Sequence, residues 1–185
     1  MGSVGQADRI VFDLEPAANV VWAGGGAARQ VRAWLRELGR ASFVRTSGGK
    51  GLHVVVPLRP ACAWPQVKAF ARAFAESMAA ADPLAYVAMA TRKLRKGRVF
   101  IDYLRNGRGA TRVASFSLRA RPGAPVAMPL RREEIARVKC GDAYTLKSTP
   151  RRMKQHLWGD FASLRQDLDK VTTRLAQRAA GKRRK

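Results

Sequence analysis

Asp13 and Glu15 stand two apart in the run Ile10-Val11-Phe12-Asp13-Leu14-Glu15. In an extended strand, period two puts both carboxylates on one face. A third carboxylate, Asp102, is the only acid between Asp82 and Glu133, a stretch that carries twelve Lys and Arg residues. Its surroundings, Arg98 to Leu104, have the apolar character of a buried strand. Three carboxylates on two strands are hard oxygen ligands of the kind that hold two Mg²⁺ or Mn²⁺ ions in phosphoryl transfer. The same groups could equally pair with nearby arginines or cap a turn, and a bare D-x-E pattern leaves both readings open.

A second group of candidates is Ser47-Gly48-Gly49-Lys50-Gly51-Leu52-His53. Glycines let a backbone approach a phosphate closely and turn N–H groups toward it, while Ser47 can donate a hydrogen bond and Lys50 supplies a cation. His53 enters a strand and points to a single face. Taken alone, a glycine-rich turn is more often a plain hairpin tip, and a lone strand histidine is more often structural than a ligand.

The elements that must position these groups are set by periodicity and breakers. Ile10 to Glu15 reads as a strand and Pro16 to Gly26 as an Ala/Gly-rich loop. Val31, Trp34, Leu35 and Leu38 recur at helical spacing until Gly39. Ala41 to Arg45 and Leu52 to Leu58 read as two strands of a hairpin around the glycine tip. Trp64-Pro65 opens a helix with an apolar face of Val67, Phe70, Ala71, Phe74 and Met78, and Asp82-Pro83 closes it. Tyr86 to Met89, the basic turn Thr91 to Gly97 and the Asp102 strand suggest a further hairpin. Arg112 to Ser117 reads as another strand, Arg119 to Pro125 as a loop, and the C-terminal third as helical with polar loops. The pattern predicts an α+β fold with a mostly antiparallel sheet and helices on one face.

The chain has 185 residues, 46% of them apolar, which suits one domain with a substantial core. Its formal charge of +23 exceeds what solubility requires and points to nucleic acid. No apolar run approaches the roughly 18 residues that span a bilayer, and no membrane partner is expected. Cys62 and Cys140 belong to no Cys/His ligand pattern, so a reduced, intracellular setting is expected, and with a nucleic-acid partner a cytoplasmic, nucleoid-associated one. A ribosomal or nucleoid-type structural protein would explain the charge but not the acids flanking a glycine loop. The tail Gly181 to Lys185 reads as solvated and frayed.

Three segments carry a family resemblance: Phe43 to Leu58, containing Thr46-Ser47-Gly48-Gly49-Lys50-Gly51-Leu52-His53; Lys96 to Thr111, containing Phe100-Ile101-Asp102-Tyr103; and Arg119 to Val126. In consistent order from about Arg9 to Phe161, the chain closely resembles the polymerase domain of bacterial ATP-dependent DNA ligase D, of the archaeo-eukaryotic primase superfamily. The resemblance implies a primase-like core over residues 1–161, followed by a C-terminal helix and basic tail over 162–185. It implies a DNA-end-binding nucleotidyltransferase that adds nucleotides, preferably ribonucleotides, in non-homologous end joining. Asp13, Glu15 and Asp102 would then be the catalytic ligands of two Mn²⁺ or Mg²⁺ ions. Ser47, Gly48, Gly49, Lys50, His53, Arg92, Arg95, Arg119 and Arg121 would bind the nucleoside triphosphate or the primer and template backbone, and end-joining proteins such as Ku and a ligase would be partners. The sequence departs from the family pattern in two ways. Glu15 replaces the usual second Asp, and the sequence starts almost at the D-x-D strand, ahead of which the family has a sizeable segment. Both set up an alternative expectation, a truncated, catalytically weak or inactive DNA-binding module of the same fold. No ligase-type nucleophilic lysine followed by Asp-Gly is present.

Overall fold

The computed structural model describes residues 6–17, 24–169 and 171–175. Six strands form one sheet: β1 (Gln6–Pro16), β2 (Phe43–Thr46), β3 (Leu52–Ala63), β4 (Tyr86–Val87), β5 (Val99–Asp102) and β6 (Pro129–Leu130), in the order β4-β5-β1-β3-β2-β6. All neighbours are antiparallel except β4 and β5. The long apolar strands β1 and β3 form the centre, paired from Gln6 opposite Ala63 to Leu14 opposite Leu52.

Alternation sorts the two faces of this sheet. Ile10, Phe12 and Leu14 of β1, Val54 and Val56 of β3 and Ile101 of β5 enter the main core. There they meet α1 (Gly24–Glu37), through Val31, Trp34 and Leu35, and α2 (Trp64–Ala81), through Phe70, Phe74 and Met78. Phe12 lies 4.8 Å from Phe74, centroid to centroid. The odd-numbered residues of β1, Val11, Asp13 and Glu15, therefore face away from both helices. Helices cover one face of the sheet, as expected, and the carboxylates lie on the other.

Four local expectations require correction. The helix α1 begins at Gly24, inside the stretch read as a loop, because glycine there serves packing. A side chain at Gly25 would stand 2.5 Å from the Ile135 carbonyl oxygen. The supposed hairpin around the basic turn is a parallel pair, with Tyr86 opposite Val99 and Val87 opposite Phe100. The chain loops over through a 3-10 turn (Arg92–Arg95) and returns in the same direction. Arg112 to Ser117 is not a strand: Phe116 takes a φ of +65°, and the nearest pairing is a lone bridge between Leu118 and Val126. Among the described residues the C-terminal third is mostly turns, with a 3-10 turn (Arg132–Glu134), the short α3 (Thr149–Met153) and a helical stretch at 171–175. Leu168, Val171 and Leu175 pack into the same core as the sheet. The basic tail Gly181 to Lys185, like part of the Ala/Gly-rich stretch after Pro16, lies outside the described residues.

Candidate active site

Strand register draws four side chains into one row across the face away from the helices. Arg45 of β2 is opposite His53 of β3, His53 is opposite Asp13 of β1, and Asp13 is opposite Asp102 of β5. Glu15 lies two residues along from Asp13, opposite Phe100. Asp102 owes its position to the turn on its C-terminal side. Strand β5 stops there, and buried Asn106 takes over the edge of β1, accepting from the Val11 N–H at 2.9 Å and donating to the Val11 carbonyl at 2.8 Å. The chain is thereby turned so that Asp102 borders a cleft of about 1080 Å³.

That cleft gathers nearly all the residues singled out from the sequence. It is lined by Asp13, Glu15, Asp102, Ser47, Gly49, Lys50, His53, Arg92, Arg95, Arg119 and Arg121. Gly48 lies just behind, where a side chain would meet Arg119. Lys96, Arg105 and Arg112 also line it. Sequence reasoning missed these three and Arg45, because a cation within a basic run, or at the end of a strand, is indistinguishable from a solvated one.

Each carboxylate has a distinct setting. His53 Nε2 lies 3.2 Å from Asp13 Oδ2, and Asp13 Oδ1 is buried with no hydrogen-bond partner among the described groups. Glu15 Oε2 accepts from Arg95 Nη1 at 2.9 Å, and that guanidinium lies over the Phe100 ring at 3.7 Å. Burial raises the Glu15 carboxyl above its ordinary range, Asp13 and Asp102 push the same way, and Arg95 opposes them. Asp102 Oδ1 accepts from the Leu104 N–H at 2.8 Å. Two of the three thus have the ordinary partners that a structural reading allows, an arginine and a turn. Among the described residues no three His, Cys, Asp or Glu side chains are gathered as a ready metal ligand set. The expected convergence is limited to a shared face and a shared cleft.

The donor set nonetheless suits a hard divalent cation. Asp13 lines the cleft with two more carboxylates, and its buried Oδ1, without a partner among the described groups, is an unsatisfied acceptor that such an ion would satisfy. The glycine loop differs from the expected phosphate cradle. The N–H groups of Gly49 and Gly51 both point at Ser47 Oγ, each at 3.2 Å, and the Gly48 N–H donates to the Gly141 carbonyl at 2.9 Å. The loop is consequently pinned by its own Ser47 and by Gly141, and its outward chemistry comes from Lys50 and the Ser47 hydroxyl proton. Glycine at position 51 is required by approach, since a Cβ there would stand 2.2 Å from the Leu14 carbonyl oxygen. Arg119 Nη1 donates to the Ser47 carbonyl at 3.4 Å, joining the 119–121 segment to the loop.

The model of the LigD primase-polymerase domain family matches residues 1–161. The multifunctional non-homologous end joining protein LigD of Pseudomonas aeruginosa is 37% identical over 179 residues, covering 94% of this chain and 21% of that protein. The protein of the same name from Mycolicibacterium smegmatis is 38% identical over 136 residues, 73% of this chain and 18% of that one. The chain thus spans about a fifth of the length of these relatives. Among solved structures, the polymerase domain from Mycobacterium tuberculosis ligase D in complex with DNA superposes with a TM-score of 0.68 at 32% identity. That superposition covers 94% of this chain and 53% of the other.

Proposed function

The chain belongs to the LigD primase-polymerase family, and from that premise we propose that it is a DNA-end-binding nucleotidyltransferase that adds nucleotides at DNA ends in non-homologous end joining. The observation that carries this reading is the single cleft in which Asp13, Glu15 and Asp102 face Lys50, Arg92, Arg95, Arg119 and Arg121. That the structural neighbour is in complex with DNA supports a nucleic-acid partner for this chain.

In this reading the 3′-hydroxyl of a primer attacks the α-phosphate of a nucleoside triphosphate and pyrophosphate leaves. No protein nucleophile is needed, so the protein's work is positioning and charge compensation. Asp13, through its free oxygen, together with Asp102 and Glu15 would hold Mn²⁺ or Mg²⁺. When bound, such ions neutralise charge on the attacking and leaving oxygens. Lys50, Arg119 and Arg121 border the glycine loop and would hold the triphosphate, arginine being suited to two phosphate oxygens at once. Arg92 and Arg95 approach from the opposite wall. Arg95 must exchange the Glu15 carboxylate for phosphate before Glu15 becomes free. Ribonucleotide preference and partners such as Ku and a ligase belong to the same proposal.

The test is primer extension on a DNA end with Mn²⁺ and ribonucleotides. The wild-type chain is expected to add nucleotides, and Asp102→Ala to lose about 10²–10³-fold in rate. Wild-type product no greater than that of Asp102→Ala would overturn the proposal. A second reading, a DNA-binding module without synthesis, is favoured by the Glu15–Arg95 pair and by the absence of a gathered ligand set among the described residues. Its signature is DNA affinity unchanged in Asp13→Ala and Asp102→Ala, with no extension by any form.

A further inference from the structure

Arg45 is the largest of the most deeply buried side chains, at 2% exposure, yet among the described residues it faces no carboxylate in an ion pair. Its acceptors are a ring nitrogen, a hydroxyl and a carbonyl. Nε donates to His53 Nδ1 at 3.3 Å, Nη1 to Ser115 Oγ at 3.3 Å, and Nη2 to the Val113 carbonyl. Burial foremost, with Arg9 and Arg112 acting the same way and Asp13 opposing them, brings this guanidinium down to about 10. A buried cation with no carboxylate in ion-pair contact among the described residues is costly to keep, so its geometry asks for an explanation beyond packing.

The hydrogen-bonding capacity of the groups supplies one. Guanidinium has donors only, so the His53 nitrogen that faces Arg45 must be the acceptor. Nδ1 is then without a proton, and the ring proton of neutral His53 sits on Nε2, facing Asp13 Oδ2 at 3.2 Å. The carboxylate is held at one oxygen, and the other, Oδ1, is left without a partner beside the cleft. Arg45 also reaches the Val113 to Ser115 segment, which runs directly into cleft-lining Ser117 and Arg119. One side chain thus fixes a ring tautomer and anchors the strap that carries part of the opposite wall.

We propose that Arg45 is a positioning residue for this cleft: it locks the Nε2–H tautomer of His53, and His53 in turn holds Asp13 with one oxygen free for a divalent cation. The catalytic consequence rests on the polymerase reading above, whereas the tautomer does not. Lysine at position 45 could donate to His53 but, lacking the planar fork, could not also hold Val113 and Ser115 in the same geometry.

The experiment is long-range ¹H–¹⁵N spectroscopy of the imidazoles in the full chain. It has two histidines, His53 and His156, and His156→Gln assigns them. Wild type is expected to show His53 with Nδ1 unprotonated, and Arg45→Met a mixture of tautomers. With Mn²⁺ alone as the probe, affinity is expected to fall by about 10- to 100-fold in Arg45→Met, as for other groups that orient a ligand, with partial recovery in Arg45→Lys. A wild-type His53 in the Nδ1–H form overturns the proposal, and this result needs no variant to fold. So does a folded Arg45→Met or Arg45→Lys protein whose tautomer and Mn²⁺ affinity both match wild type. If the tautomer depends on Arg45 but the wild-type chain does not extend primers, the positioning role stands and the polymerase reading falls.

Discussion

The two oxygens of Asp13 do different things, and a single substitution separates them. Oδ2 accepts from His53 while buried Oδ1 has no partner. Asn at this position keeps an oxygen for the His53 N–H but loses the negative charge. Asp13→Asn is therefore expected to melt within about 0.5 kcal/mol of wild type, while primer extension falls by about 10²–10³-fold. Thermal unfolding and single-turnover extension check the two halves separately, and equal losses in both would mean that Asp13 is structural. The row containing Asp13 was partly legible in the sequence. Period two placed Asp13 with Glu15, and the apolar run around Asp102 placed it on a strand. Arg45 was not legible, although it completes the row, because an arginine at the end of a strand is ordinarily solvated. Only the register opposite His53, and the turn that brings Val113 and Ser115 over it, make it a buried hub.

Among elements, the strands and helices can be read from alternation and breakers, but their partners cannot. Tyr86–Val87 and Val99–Asp102 have the same local pattern whether they pair parallel or antiparallel. Extended sequence from Arg112 to Ser117 becomes a strap, because Arg45 takes the Val113 carbonyl and Phe116 turns at positive φ. Beyond β6 the chain is likewise held by ties between short elements. The clearest is Glu134, at the 3-10 turn, with Arg152 of α3: Oε1 to Nη1 is 2.7 Å and Oε2 to Nη2 is 2.8 Å. Arg152 also donates to the Pro129 carbonyl at 3.1 Å and lies over the Tyr144 ring at 4.4 Å. Arg152 holds the Glu134 carboxyl below its ordinary range of about 4.5, with the Arg131 N–H adding to the effect. The folded value is lower than the unfolded one, so this contribution is full above the unfolded value and fades as pH falls through the folded one. Glu134→Gln is expected to cost about 1–3 kcal/mol at neutral pH, as for a charged hydrogen-bonded pair. The gap from wild type should close in melts taken progressively below pH of about 4. A gap that persists undiminished in acid would assign the loss to packing instead of charge.

For the molecule as a whole, the decisive asymmetry is charge set against the faces of the sheet. The cleft is lined by eight Lys and Arg side chains against three carboxylates, so it attracts a polyanion even while it retains acids for a cation. The helical layer on the opposite face also carries exposed cations, such as Arg36 near the end of α1. The net charge of +23 therefore does not by itself say which face meets DNA. Salt dependence does, because each phosphate neutralised by a protein cation releases condensed counterions and adds about 0.9 to the slope of log affinity against log salt on duplex DNA, and about 0.7 on single strands. Arg105 and Arg112 line the cleft on the Asp102 side, and Arg112 is close enough to feel the Asp102 carboxylate. If DNA runs along that wall toward the carboxylates, the Arg105→Ala, Arg112→Ala double variant lowers the slope by about two and weakens binding about equally for all sequences. Arg36→Ala leaves the slope unchanged. Fluorescence anisotropy on an overhanging DNA end across a salt series measures both. A slope that responds to Arg36 and not to the cleft pair would move the nucleic acid to the helical face, away from Asp13 and Asp102, and end the case for synthesis at this site.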